Sequence, residues 1–185
     1  MASGMNDYRQ NQIDAVGAKD PVADAIRLLQ VLNGRALEVQ AITTRIYEEA
    51  TLLPFSDYSD GFRRVQEFMS FCDVIESKLE QIAPQTREPI LHEVTAVKTR
   101  AFFALLRGMG AYLTALERRG MINIFAQAIF LMQQDVVSDF RDNVLPGLPP
   151  NLVPDSVPAL FEEVLQILKR LLDRCVDVPD FRFEP

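Results

Sequence analysis

The stretch AFFALLRGMGAYLTAL, residues 101–116, places apolar side chains on nearly every side of a helix. A helix that is apolar all round lies either in the centre of a protein or inside a membrane. These sixteen residues include one arginine and two glycines, and they fall short of the roughly 20 apolar residues that a spanning helix needs. The stretch therefore predicts the central helix of an all-α protein, and no membrane span.

Segments before and after this stretch repeat apolar residues at spacings of three and four, the period of an amphipathic helix. Asp20-Pro21 is typical of a helix start, with a carboxylate cap before a proline in the first turn. The first helix then runs to about Ala50, and Gly34 inside it predicts a kink or a close helix crossing. After a turn at residues 56–60, the stripe at 62–82 predicts a second helix.

The third helix, which contains the opening stretch, is expected to begin with Thr86 as its cap and to tolerate Pro89 in its first turn. Arg118-Arg119-Gly120 predicts its end, because basic residues and a following glycine favour a helix C-terminus. A fourth helix is expected from residues 122–123 to about residue 144. The proline-rich segment 146–154 then predicts a rigid, extended connector packed over a helix face, followed by a fifth helix from Ser156.

Together these patterns predict an up-and-down bundle of four to five helices within a single domain, residues 20–176. Residues 1–19 are polar and without periodicity, so we expect a mobile N-terminal segment whose residues 1–4 are an expression scar. Residues 177–185 hold two phenylalanines among prolines and acidic residues, and we expect an extended C-terminal tail. No signal-peptide pattern opens the chain, which favours a cytoplasmic protein.

The composition narrows the functional classes. Of 185 residues, 48% are hydrophobic and 24% charged, and the formal net charge is −7. A nucleic-acid surface needs an excess of Lys and Arg to neutralise phosphates, so no nucleic-acid partner is expected. The two cysteines, Cys72 and Cys175, have no zinc or redox spacing, and we expect both to be small core residues in a reducing compartment.

The chain offers little for catalysis or metal binding. His92 is the only histidine, whereas a zincin helix or a di-iron bundle needs more than one. Adjacent carboxylates such as Glu48-Glu49 point in different directions on a helix, and no nucleotide-binding or nucleophile motif occurs. We therefore expect no catalytic residues, no metal and no cofactor, with His92 at a solvent-facing helix edge. His92 becomes a cofactor residue only if a haem-type group lies between the helices.

Several apolar residues of the third and fourth helices lie outside the stripes that a simple four-helix core needs. Proteins rarely expose large apolar patches, so the fifth helix, a second copy or another protein must cover them. These candidate interface residues are Phe102, Phe103, Leu106, Phe130 and Leu131.

The sequence as a whole favours a non-enzymatic helical protein-interaction module, such as an adaptor, a scaffold or a regulatory subunit. Its interface would be an apolar and aromatic helix face with acidic surroundings, formed with a protein partner or in a homodimer. Two alternatives stay open. One is an acidic inhibitor or immunity-type protein that masks a basic partner, and the other is a helical bundle that binds a small molecule or a haem-type cofactor.

Overall fold

A computed structural model of the protein describes residues 20–120 and 125–176, and within them it contains five α-helices and no strand. This confirms the all-α bundle. The expected N-terminal segment 1–19, the start of the fourth helix at 122–123 and the tail 177–185 lie outside the described residues. The helices are α1 (Pro21–Glu48), α2 (Phe55–Leu79), α3 (Pro84–Arg119), α4 (Ala126–Asp139) and α5 (Val157–Val176).

Two helix ends have the local chemistry that the sequence predicts. The Asp20 side chain accepts a hydrogen bond from the backbone N–H of Val22 at 3.0 Å, and Pro21 occupies the first turn of α1. Helix α3 stops at Gly120, whose φ of 71° lies in the left-handed region. Glycine enters that region without the steric cost that other residues meet, so the chain can leave the helix there.

Two other helix starts differ from the prediction, and proline is the reason in both cases. Pro54 has extended backbone angles and caps α2, so residues 56–60 form the first turn of that helix and not a separate turn. Pro84 is the first residue of α3 and Ala83 is its cap, so Thr86 is not the cap and Pro89 lies inside the helix. Proline fits the first helical turn because N–H groups there need no intrahelical acceptor.

The connector before α5 is more compact than the extended segment predicted from its prolines. After α4 the chain continues through a π turn, Phe140–Val144, and two 3₁₀ turns, Leu145–Gly147 and Pro150–Leu152. The expectation that it packs over helices is confirmed, since Leu148 and Val153 are partly buried against the core.

Contacts between helices define an up-and-down arrangement around α3. Helix α2 runs antiparallel to α3, since Tyr58 near the start of α2 stacks on Tyr112 near the end of α3, while Asp73 further along pairs with Lys98. Helices α1, α3 and α5 run in one direction, with α1 and α5 packed on opposite sides of α3. Helices α2 and α4 run in the other direction and form a second layer beneath them.

Helices α1, α2 and α3 approach one another closely at Ile46 of α1. An ideal Cβ added to Gly108 of α3 would lie 2.9 Å from Ile46 Cγ2, and one added to Gly61 of α2 would lie 3.0 Å from Ile46 Cδ1. The close crossing expected at Gly34 is therefore wrong, because a Cβ at Gly34 would meet nothing within 4 Å.

Both cysteines are buried free thiols, one on α2 and one on α5.

Candidate functional site

The aromatic residues singled out from the sequence lie mostly in the core. Phe102 is fully buried and Phe103 is 9% exposed. The Phe102 ring stacks on Phe140 of the π turn, with centroids 3.9 Å apart, and on Phe161 of α5 at 6.0 Å. The connector and α5 therefore cover these two side chains, and the expectation that a second protein helps to cover them is corrected by their burial.

Of the other three candidate interface residues, two are buried and one is exposed. Leu106 and Phe130 have no exposed surface, and the Phe130 ring packs edge-on against Phe55 of α2 at 5.8 Å. Leu131 is 46% exposed, since it follows Phe130 on α4 and points away from the core. Of the five candidate interface residues, Leu131 alone offers surface to a partner.

His92 lies on the exposed side of α3 near its N-terminal end, as expected for a helix-edge residue. The phenylalanine cluster lies further along α3, and its rings contact one another at centroid distances of 3.9–6.4 Å. His92 and these rings therefore do not line a common space in which a planar cofactor could be held. Within residues 20–120 and 125–176, no three His, Cys, Asp or Glu side chains come together as a candidate metal site.

A buried polar cluster connects α2, α3 and α4, and the sequence patterns did not reveal it. The Tyr58 hydroxyl donates to Gln133 Oε1 at 3.0 Å, and the Tyr58 and Tyr112 rings stack with centroids 4.0 Å apart. Burial raises the pKa of Tyr58 far above its usual range, so the phenol stays neutral and remains a donor. We assign this cluster to the interior, where it fixes α4 against α2.

The surface best suited to binding is the side of the α1–α3–α5 layer that faces away from α2 and α4. No described helix covers it. Two grooves run along it. The groove between α1 and α3 has a volume of about 550 Å³, and the groove between α3 and α5 has a volume of about 580 Å³. Arg100 and Ala104 of α3 line both grooves. We call this surface the open face.

The walls of the α1–α3 groove are mainly uncharged. On α1, Leu37 is 68% exposed, and its neighbours along the groove include Asn33 and Gln40. On α3, Ala101 and Ala104 form a low floor, because a methyl side chain projects little from the helix. Small floor residues beside an exposed leucine permit close approach of another polypeptide, and such exposed apolar surface is typical of interaction sites.

Charged groups are spaced along the floor of the open face. Arg100 lies 3.8 Å from Glu93, close to the upper limit for an ion pair. The Arg107 guanidinium lies over the Tyr47 ring at 4.6 Å, a cation–π contact between α3 and α1. Arg107 lines the α3–α5 groove and lies one turn beyond Ala104, the last α3 residue of the α1–α3 groove. Among the described residues, no carboxylate lies within ion-pair distance of Arg107. Arg107 thus has no ion-pair partner among the described residues, while Glu163 lines the same α3–α5 groove.

Sequence reasoning missed this face because each of its residues fits an ordinary solvated helix surface. A signal was present in the small residues at 101, 104 and 111, which recur on one side of an otherwise bulky α3.

Comparisons with protein-family models, with curated proteins and with solved structures each find no match for this chain. No helix of the described residues is long and apolar enough to cross a membrane.

Proposed function

We propose that the protein is a non-enzymatic, helical protein-interaction module that binds its partner at the open face. The observation that carries this proposal is the uncovered side of α3. The other side of this central helix is covered by α2 and by Phe140 of the π turn, whereas the open face has two grooves, small floor residues and the exposed Leu37. A concave surface lined by apolar residues with a few polar groups is a common form of binding site.

The acidic inhibitor is the second candidate, and the charge of −7 favours it. An inhibitor of that kind would use a carboxylate-rich surface, so its binding would weaken steeply as salt screens the charges. The open face is different, since its arginines and its apolar wall favour a partner with mixed apolar and acidic chemistry. The salt dependence of complex formation therefore separates the two candidates.

Site-specific photo-crosslinking in the native host tests the proposal. A p-benzoylphenylalanine at position 37 of α1 probes the open face, and one at position 74 of α2 is the matched control, since Leu37 and Val74 are both exposed apolar helix residues. We expect a discrete protein adduct from position 37 and none from position 74.

A second variant connects that adduct to the groove itself. Ala104→Trp fills the floor between the walls and should abolish the position-37 adduct, while the circular dichroism melting curve stays close to that of the parent protein. Equal adducts from positions 37 and 74, or an adduct that persists in Ala104→Trp, would rule out the open face as the binding site.

A further inference from the structure

We infer that the ligand of the open face is a single amphipathic α-helix of another protein, docked in the α1–α3 groove with a carboxylate facing Arg107. This inference rests on the proposed function and adds the chemistry of the partner. It follows from the shape of the groove, from the hydrogen-bonding state of its walls and from the charges on its floor.

The groove favours a helix over an extended peptide. Its walls are two α-helices whose backbone N–H and C=O groups are already paired within each helix, and no strand edge occurs in the described chain. An extended peptide in this groove would leave its own backbone groups unpaired against apolar side chains, which costs free energy. A helix satisfies its backbone internally and presents only side chains.

The length of the groove suits a helix of about four turns. Glu93 and Ala104 are the first and last residues of α3 that line the groove, and Arg107, which lies over Tyr47, follows one turn beyond Ala104. From Glu93 to Arg107, α3 advances fourteen positions, or about 21 Å at 1.5 Å per residue. Apolar residues of the partner at spacings of three and four would meet Leu37 and the alanine floor along this length.

The charges on the floor specify an acidic partner helix. Arg107 is held over Tyr47 with no carboxylate within ion-pair distance among the described residues, and Arg100 has only the long contact to Glu93. The α1 side of the groove contributes no charged residue, since it consists of Asn33, Ala36, Leu37, Val39, Gln40 and Thr43. A carboxylate near the Arg107 end therefore gains a charge-assisted hydrogen bond without displacing an existing partner.

A second copy of this chain fits the open face poorly. When two copies stack through this face with α3 against α3 and a two-fold axis between positions 100 and 107, Arg100 of one copy meets Arg107 of the other. Like charges brought together in a partly desolvated interface oppose association. The charge pattern therefore selects a different protein with acidic residues on its apolar helix.

The adduct from position 37 supplies the probe for the test. The crosslinked peptide is identified by mass spectrometry, synthesised with flanking residues and labelled with fluorescein, and its binding to the full chain is measured by anisotropy. We expect a peptide with apolar residues at helical spacing and at least one Asp or Glu beside them, which gains helical circular dichroism on binding. Arg107→Glu should weaken its affinity at least about tenfold, as expected for loss of a buried charge pair.

Arg64→Glu on α2 is the matched control, since Arg64 is also exposed and lies away from the open face. The affinity of this variant for the peptide should differ from that of the parent protein by less than about twofold. A peptide that stays non-helical when bound, that binds Arg107→Glu as tightly as the parent, or that comes from this chain itself overturns the inference. In each of these cases the position-37 adduct still supports the proposed function. Absence of that adduct removes the proposed function and the inference together.

Discussion

Ile46 is the side chain on which α1, α2 and α3 converge. It is 2% exposed, and its methyl groups lie against the backbone of Gly61 on one side and of Gly108 on the other. Glycine is unfavourable inside a helix by about 1 kcal/mol relative to alanine. The two glycines offset that cost by allowing three helices to approach one another around one buried isoleucine.

The first prediction compares two glycine replacements. Gly108→Ala should destabilise the protein by about 1–2 kcal/mol, because the new Cβ would lie 2.9 Å from Ile46 Cγ2 and overpacking outweighs the gain in helix propensity. Gly34→Ala should instead stabilise it by about 0.5–1 kcal/mol, because its Cβ meets nothing. Urea unfolding of both variants measures the two signs, and a stabilising Gly108→Ala would contradict the close crossing.

The second prediction concerns the buried tyrosines. Tyr58→Phe should cost about 1–3 kcal/mol, because it leaves the buried Gln133 amide without the hydroxyl that now donates to it. Tyr112→Phe is the matched control. Its hydroxyl has no hydrogen-bond partner within the described chain, so its removal should change stability by no more than about 0.5 kcal/mol. Equal losses for the two variants would show that the Tyr58–Gln133 bond does not stabilise the fold.

At the scale of elements, ion pairs join several neighbouring segments. Arg45 of α1 pairs with Asp57 of α2, and Arg141 of the π turn pairs with Glu162 of α5. The contact between α3 and α5 centres on Glu117, whose two carboxylate oxygens accept from Arg170 at 2.7 and 3.1 Å. Glu117 is the most enclosed carboxylate of these pairs, which makes it the best one to test.

The third prediction is a pH dependence at Glu117. Hydrogen bonding to Arg170 lowers the pKa of Glu117 below its ordinary value of 4.5, and Arg174 lowers it further. A lowered pKa means that the ionised carboxylate stabilises the folded state above the ordinary pKa, and that this contribution is lost as the pH falls through the folded-state pKa.

Glu117→Gln should therefore lower the urea midpoint at pH 7 by less than Tyr58→Phe does, since Arg170 is half exposed. The difference between the parent protein and Glu117→Gln should shrink as the pH is lowered below 4.5. Glu76→Gln provides a control of opposite sign, because burial raises the pKa of Glu76. A Glu117→Gln difference that is independent of pH would show that the carboxylate charge does not stabilise the α3–α5 contact.

The elements themselves were largely predictable from the sequence. Periodicity located five helices, and local chemistry fixed the start of α1 at Asp20 and the end of α3 at Gly120. The start of α2 was misplaced because residues 56–60 favour turns and helix N-termini equally, and the start of α3 because Pro84 begins that helix instead of only ending the one before it. The connector was misread because proline marks an interruption of a helix without specifying whether the chain extends or forms 3₁₀ turns.

At the scale of the whole molecule, periodicity could not show which apolar faces meet. Phe102 and Phe103 lie outside the main stripe of α3, so their burial depends on α5 and the π turn being folded against them. That information is in the three-dimensional packing and not in the spacing along one helix. The open face could not be predicted from the sequence either, because a groove forms only when α1 and α5 are placed beside α3.

The crossing at Ile46 also has an evolutionary consequence. Positions 46, 61 and 108 share one small volume, so substitutions at them should be inherited together while position 34 drifts freely. A lineage that acquires alanine at 108 is expected to lose the β-branch at 46, with leucine in place of isoleucine, because the clashing atom is Cγ2. Alanine at 61 should instead accompany the shorter valine at 46 together with a smaller residue at 42, because the two nearest atoms there are Ile46 Cδ1 and Ile42 Cγ2.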